Sequence, residues 1–164
     1  MSELTKKQQE LYKLIKKKVL VLDGAMGSLI QSYGLIEKDF RGERFKDHKF
    51  DLKGNNDLLS IIRPDIILEI HKQYLDAGSD IIETNTFNAN RISMADYGMQ
   101  NHVYEMNVAA AEIALKACEE FSSIQKPRFV AGAIGPTNKT ASMSPDVEDP
   151  GFREVNFDDI IEAY

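Results

Sequence analysis

The sequence predicts a parallel α/β fold assembled from (β/α) units, and two observations carry that prediction. Strand-length apolar runs alternate with helical patterns along the chain, the order that gives parallel strands joined by crossover helices. The links between them are also unequal. Helix-to-strand links are short, Gly78-Ser79 and Ser122 to Pro127. Strand-to-helix links are long: Gly34 to Arg63 beyond a short first helix, Asn85 to Asn90, and Pro136 to Asn156. Long loops therefore gather where strand C-termini emerge, the face that carries active sites in parallel α/β proteins.

Each element has its own signal. Leu4, Leu11, Leu14 and Ile15 fall at helical spacing, predicting an amphipathic helix that ends near Lys18. "VLVLD" (Val19–Asp23) is a continuous apolar run and reads as the first strand. In "RPDIILEIHKQYLDAG", Ile66, Ile70 and Tyr74 share a helical face. Pro64 suits the first helical turn, Asp65 the positive helix start, and Gly78 the C-terminal stop. "DIIET" is the second strand. Val103, Met106, Ala110, Ile113, Ala117 and Phe121 trace a long helix, "RFVAGAIG" is the third strand, and "NFDDIIEAY" opens a further helix capped by Asn156. That helix runs into Tyr164 without a stop signal, so the chain is expected to be a piece of a longer protein.

Composition narrows the function. The 164 residues are 43% hydrophobic and 28% charged, as in a globular domain with a core. A formal net charge of −6 argues against nucleic acid or an anionic membrane as partner. The Lys16–Lys18 run reads as a solvated helix end. No apolar run is long enough to span a membrane, Met1 to Lys7 is polar, and a lone Cys118 excludes an internal disulfide. The expected compartment is the cytoplasm.

Candidate chemistry centres on two acids, each ending an apolar run: Asp23 in "VLDGAMGS" and Glu83 in "DIIETNTF". On neighbouring strands their carboxylates would meet at one mouth, a pair suited to acid–base work, to a metal or to an ammonium group. Each could also be a structural cap. "GAMG" behind Asp23 offers backbone N–H groups that could hold an anion, or is a simple tight turn; it matches neither a dinucleotide fingerprint nor a P-loop. An anion cradle beside two carboxylates suits a zwitterionic amino acid. "ETNTF" (Glu83–Phe87) places hydrogen-bonding side chains behind a buried strand, as in a pocket floor or a strand exit. His48, His71 and His102 are isolated and read as surface or packed residues, Met94, Met99 and Met106 as core, and Cys118 as a small buried residue. No Cys or His pair has zinc spacing.

Taken together, "LDGAMGSLIQSYGL", "DFRGERF", "DLKGNNDLL", "AGSDIIETNTFNAN", "MADYG" and "AGAIGPTNKTASMSPDVEDPGFR" resemble the first half of the N-terminal homocysteine-binding domain of the cobalamin-dependent methionine synthases. These belong among the homocysteine S-methyltransferases. The match runs in order from about Val19 to Tyr164. "DGAMGS" alone is moderately specific, and the combination of "ETNTF", "RGERF" and "GPTNKTASMSPDV" is highly so. Ala25 and Ser28 stand where relatives often carry Gly and Thr.

The resemblance implies the N-terminal part of a TIM (β/α)8 barrel, truncated, with residues 1–164 a partial homocysteine-binding domain. It implies a homocysteine S-methyltransferase that makes methionine by moving a methyl group from methylcobalamin, regenerated from 5-methyltetrahydrofolate, to a zinc-activated homocysteine thiolate. Asp23 would meet the homocysteine ammonium, the backbone of Gly24, Ala25 and Met26 its carboxylate, and Glu83, Asn85 and Thr86 would line the pocket. The family's zinc-ligating cysteines lie on later strands, and Cys118 matches none of them. Zinc and cobalamin are therefore expected only in the full-length enzyme, alongside folate, cobalamin and reactivation domains of the same chain. The isolated piece should bind neither cofactor, have no activity, and self-associate. The alternatives are a cobalamin-independent enzyme using betaine or S-methylmethionine, and a non-catalytic amino-acid-binding module.

Overall fold

Thr5 opens the first helix: its hydroxyl accepts the Gln8 N–H while the Gln8 side chain accepts the Thr5 N–H at 2.8 Å, a reciprocal cap. The computed structural model describes residues 4–164, so Met1 to Glu3 of the polar N-terminal stretch lie outside the described residues. Helix α1 spans Lys6–Ile15 and ends short of Lys18. Among the described residues no helix is long and apolar enough to cross a membrane.

Val19 to Asp23 corrects the sequence reading, because it is not a strand. Leu22 alone pairs, as a single parallel bridge to Ile81. The Ile81 N–H donates to the Val21 carbonyl at 3.1 Å and the Asp23 N–H to the Ile81 carbonyl at 2.9 Å. Carboxylates end this ladder on both sides. Asp80 Oδ2 accepts the Val21 N–H at 3.0 Å, and the Asp23 side chain takes the Glu83 N–H that its own carbonyl would accept in a longer ladder. Burial pushes the Asp80 carboxyl up, but Lys18 Nζ at 2.8 Å, the Val21 N–H and the Arg128 charge outweigh it and hold it below the ordinary value.

Two short strands remain. β1 (Ile81–Glu83) and β2 (Phe129–Ala131) pair in parallel with Ile82 opposite Val130. They lie inside the predicted runs "DIIET" and "RFVAGAIG". Ile82 is buried, and its neighbours Ile81 and Glu83 face the opposite side, the period of two that a pleat imposes.

The connecting helices follow the sequence signals. Helix α2 (Met26–Ser32) comes directly after Asp23. The Gly34–Arg63 stretch, expected as a loop, holds helices α3 (Glu37–Arg41) and α4 (Leu59–Ile62). It also contributes Phe40, Phe45, Leu52, Leu58 and Leu59 to the core. Glu37 organises it by accepting the Leu52 and Lys53 N–H groups and the Arg41 guanidinium, which also donates to the His48 and Phe50 carbonyls. Helix α5 (Pro64–Ala77) begins on Pro64 and stops at Gly78, whose φ of 118° is the left-handed conformation that a glycine supplies without steric cost. Buried Arg128 reaches over that end and donates to the carbonyls of Leu75, Gly78 and Ser79, a cation on the negative end of the helix. Helix α6 (Arg91–Met94) is short, and helix α7 spans Val103–Phe121. Met106, Ala110, Ala114 and Ala117 form its buried stripe, and the alanines let α7 lie close to α5 over one face of the sheet. Helix α8 (Phe157–Ala163) starts on Asn156, which accepts the Asp159 N–H as predicted.

The core divides in two. The larger cluster joins Ile30 and the α3–α4 segment to Ile66, Ile67, Ile70, Met94, Met99 and Met106. The smaller one, Leu75, Ile82, Ala114, Ala117 and Cys118, lies between the sheet and its two covering helices. Val19 (90% exposed) and Ile134 (82%) stay uncovered beside the sheet.

Candidate functional site

The carboxylate of Asp23 sits against the start of "ETNTF". Both of its oxygens lie 3.1 Å from the Glu83 nitrogen, so the two acids that end successive apolar runs are brought together. Burial raises the Asp23 carboxyl, the Glu83 N–H opposes it and the Glu83 charge adds to it, leaving the group at about 6 against an ordinary 3.8. Behind Asp23, the first helical bond of α2 runs from the Leu29 N–H to the Ala25 carbonyl. The N–H groups of Met26, Gly27 and Ser28 precede it and are free of helical partners.

The rest of "ETNTF" is stitched to the structure around it. Thr86 donates its hydroxyl proton to the Ala133 carbonyl at 2.8 Å. It must then accept from Thr84, whose hydroxyl lies 2.7 Å away and itself accepts the Ala133 N–H at 2.9 Å. Asn85 spends both amide protons, on the Asn56 carbonyl at 2.8 Å and Ser60 Oγ at 3.2 Å. The Asn88 N–H donates to Asp57 Oδ1 at 2.8 Å. Gly135 lies so close beneath Phe87 that a Cβ there would fall 1.9 Å from the Phe87 carbonyl oxygen.

These residues enclose a cavity of about 440 Å³. All the residues named from the sequence line it: Asp23, Gly24, Ala25, Met26, Glu83, Asn85 and Thr86. Sequence reasoning missed Asn56, Asp57 and Asn88, which line it too. The first two sit in "KGNND", which reads as an ordinary run of turn-forming residues, yet its Asp57 is only 2% exposed. The lining carries three carboxylates, Asp23, Asp57 and Glu83, and no Lys, Arg or His. Such a cavity attracts a cation and repels a phosphate or a second carboxylate unless backbone N–H groups receive it.

The other donor groups among the described residues do not fit a zinc ion. Among the described residues no three of His, Cys, Asp and Glu converge as metal ligands. Cys118 is buried, its Sγ donates to the Phe129 carbonyl at 3.4 Å, and burial pushes its thiol up to about 11. His48 Nε2 sits 2.7 Å from the Tyr97 carbonyl, and His102 packs its ring 5.1 Å from Phe45. His71 is fully buried with neither ring nitrogen partnered.

Comparison with known proteins bears on the same residues. The family described as homocysteine S-methyltransferase matches residues 20–164. Among solved structures, the homocysteine methyltransferase MmuM from Escherichia coli is similar in its oxidized form, with a TM-score of 0.60 and 24% identity over 77% of this chain and 40% of that one. Its metallated form is similar with a TM-score of 0.59, again at 24% identity and over 77% of this chain, and 41% of that one. The chain thus spans about two fifths of the length of these proteins, and at that identity the likeness shows a shared fold.

Proposed function

Because this chain belongs to the homocysteine S-methyltransferase family, we propose that its acid-lined cavity is the amino-acid end of a homocysteine site. The single observation that carries this reading is the meeting of Asp23 and Glu83 beside the free N–H groups that open α2. The homocysteine ammonium pairs with Asp23, with Glu83 as second acid. The carboxylate lies on the backbone of Gly24, Ala25 and Met26, and Asn85 and Thr86 form the wall. These groups hold the zwitterion so that its side chain leaves the cavity in one direction, which lowers the entropic cost of the later reaction.

The reaction we propose for the longer protein is methyl transfer to the homocysteine sulfur, giving methionine, with methylcobalamin as donor. The strings "ETNTF", "RGERF" and "GPTNKTASMSPDV" support that donor, through their resemblance to the methionine synthases. Residues 1–164 are then a partial homocysteine-binding domain within a truncated barrel, and the cobalamin, folate and reactivation domains belong to the remainder of the chain. A zinc ion would stabilise the thiolate, and its ligands lie outside the residues described above. A betaine- or S-methylmethionine-dependent enzyme would use the same amino-acid pocket. Assay of the full gene product with each donor in turn separates the two.

Calorimetric titration of this chain tests the pocket itself. L-Homocysteine is expected to bind one to one, and its desamino analogue not at all. Asp23→Asn should weaken binding at least tenfold. Equal binding of the two thiols would remove the ammonium from the recognition scheme and with it the role given to Asp23.

A further inference from the structure

The turn Asn55-Asn56-Asp57 does more than reverse the chain. Asn55 fixes it from within, accepting the Leu58 N–H at 3.2 Å and donating its amide to Met94 Sδ at 3.3 Å, both in buried surroundings. The turn then leads directly into α4, with the Leu59 N–H donating to the Asn56 carbonyl and the Ser60 N–H to the Asp57 carbonyl, each at 3.2 Å. From this rigid base two bonds cross to the wall of the cavity: Asn85 Nδ2 to the Asn56 carbonyl, and the Asn88 N–H to Asp57 Oδ1, both at 2.8 Å. Ser60, one turn further, takes the other Asn85 proton.

Asp57 stands out within this set. It is 2% exposed, yet no Lys, Arg or His forms an ion pair with it among the described residues. A buried, unpaired carboxylate is expensive and persists only where its hydrogen bonds hold something in place. Burial raises the Asp57 carboxyl, and the backbone N–H groups of Asn88 and Ala89 oppose that rise. What it holds is the Thr84–Asn88 wall, whose other side is tied to Ala133 by the two threonine hydroxyls.

We propose that Asp57 is the positioning residue of the pocket, clamping the Asn88 amide so that the wall next to Glu83 keeps one geometry. It acts through the wall and does not touch the ligand. This inference rests on the amino-acid-site reading above for its effect on binding, but not for the clamp itself.

Two variants separate the clamp from the charge. Asp57→Asn retains an Oδ1 acceptor for the Asn88 N–H and loses the charge. Asp57→Ala loses both, and Asp57→Ser serves in its place should the alanine variant fail to fold. Amide hydrogen exchange is followed at Asn88 and, as a control in the core, at Ala114, with L-homocysteine affinity measured on the same samples. The expected result for Asp57→Ala or Asp57→Ser is at least tenfold faster exchange at Asn88 with Ala114 unchanged, and at least fivefold weaker binding. Asp57→Asn is expected to restore both to within about threefold of the parent chain. Unchanged Asn88 exchange in the alanine or serine variant overturns the clamp. Weak binding by Asp57→Asn with Asn88 still protected also overturns it, since the charge would then be in direct contact with the ligand. If the parent chain binds no homocysteine, the reading of the pocket fails, while the exchange at Asn88 still decides the clamp.

Discussion

Burial pushes the Asp23 carboxyl up to about 6, with the Glu83 N–H opposing and the Glu83 charge adding. Its folded value lies above its ordinary 3.8, so the folded chain holds this proton more tightly, and the stability it contributes is lost as pH rises through about 6. An ammonium ligand needs the ionised form. Homocysteine affinity is therefore expected to rise between pH 5 and 7 while thermal stability from this group falls, and Asp23→Asn should flatten both profiles in calorimetry and thermal melts. His71 behaves in the opposite sense. Burial lowers its imidazole to about 4 from 6.5, so the unfolded chain takes up this proton first and stability is lost as pH falls between those values. His71→Leu should remove that acid sensitivity and add about 1 kcal/mol at neutral pH by removing two unpartnered buried nitrogens; unchanged acid melts would count against this account. The placing of Asp23 beside Glu83 was legible in the sequence because both acids directly follow apolar runs. Asp57 was not, because its partner Asn88 lies 31 residues away and "GNND" reads as an ordinary turn.

The elements show why apolar runs locate strands better than they bound them. "DIIET" and "RFVAGAIG" contain strands, but "VLVLD" is reduced to one bridge because Asp80 and Asp23 occupy the backbone donors that a longer ladder needs. Hydropathy carries no trace of that competition. The Gly34–Arg63 stretch went unread for a similar reason, since Glu37 and Arg41 order it through bonds to distant backbone groups. One element junction makes a firm prediction. Gly135→Ala would drive a methyl group into the Phe87 carbonyl, and the relief of that clash should cost about 1–3 kcal/mol. Chemical denaturation measures the loss, and homocysteine affinity should fall with it because Phe87 lines the cavity. A stability change near zero would mean that the β2 exit yields freely.

At the scale of the whole molecule, the succession from α5 through β1, α7 and β2 to α8 was legible, and the lost first strand, the helices within Gly34–Arg63 and the division of the core were not. Most buried apolar groups belong to the helical cluster around Ile67 and Ile70, away from the sheet. The sheet is narrow and has an open side. Phe129 donates to the Asp80 carbonyl and Ala131 accepts from Thr84, so the backbone groups of Val130 point away from β1. The free edge of β2, with exposed Ile134 just beyond it, favours association with a second copy. Light scattering at low micromolar concentration is expected to give a dimer or larger species. A monomer with β1 and β2 fully protected from exchange would count against that expectation.

The hydroxyl relay from Thr84 through Thr86 to Ala133 has a consequence for selectivity. Together with Asn85, it commits every side-chain proton that "ETNTF" could donate to the protein itself. This wall therefore has no side-chain proton left to donate to the hydroxyl, thiol or thioether of a ligand. On the amino-acid-site reading proposed above, the cavity serves as a handle for α-amino acids, and preference for sulfur is imposed where the side chain leaves it. L-Homoserine, L-homocysteine and L-methionine should accordingly bind this chain with dissociation constants within about a factor of three, roughly 0.65 kcal/mol. A tenfold preference for the thiol would place a sulfur-sensing group inside the cavity.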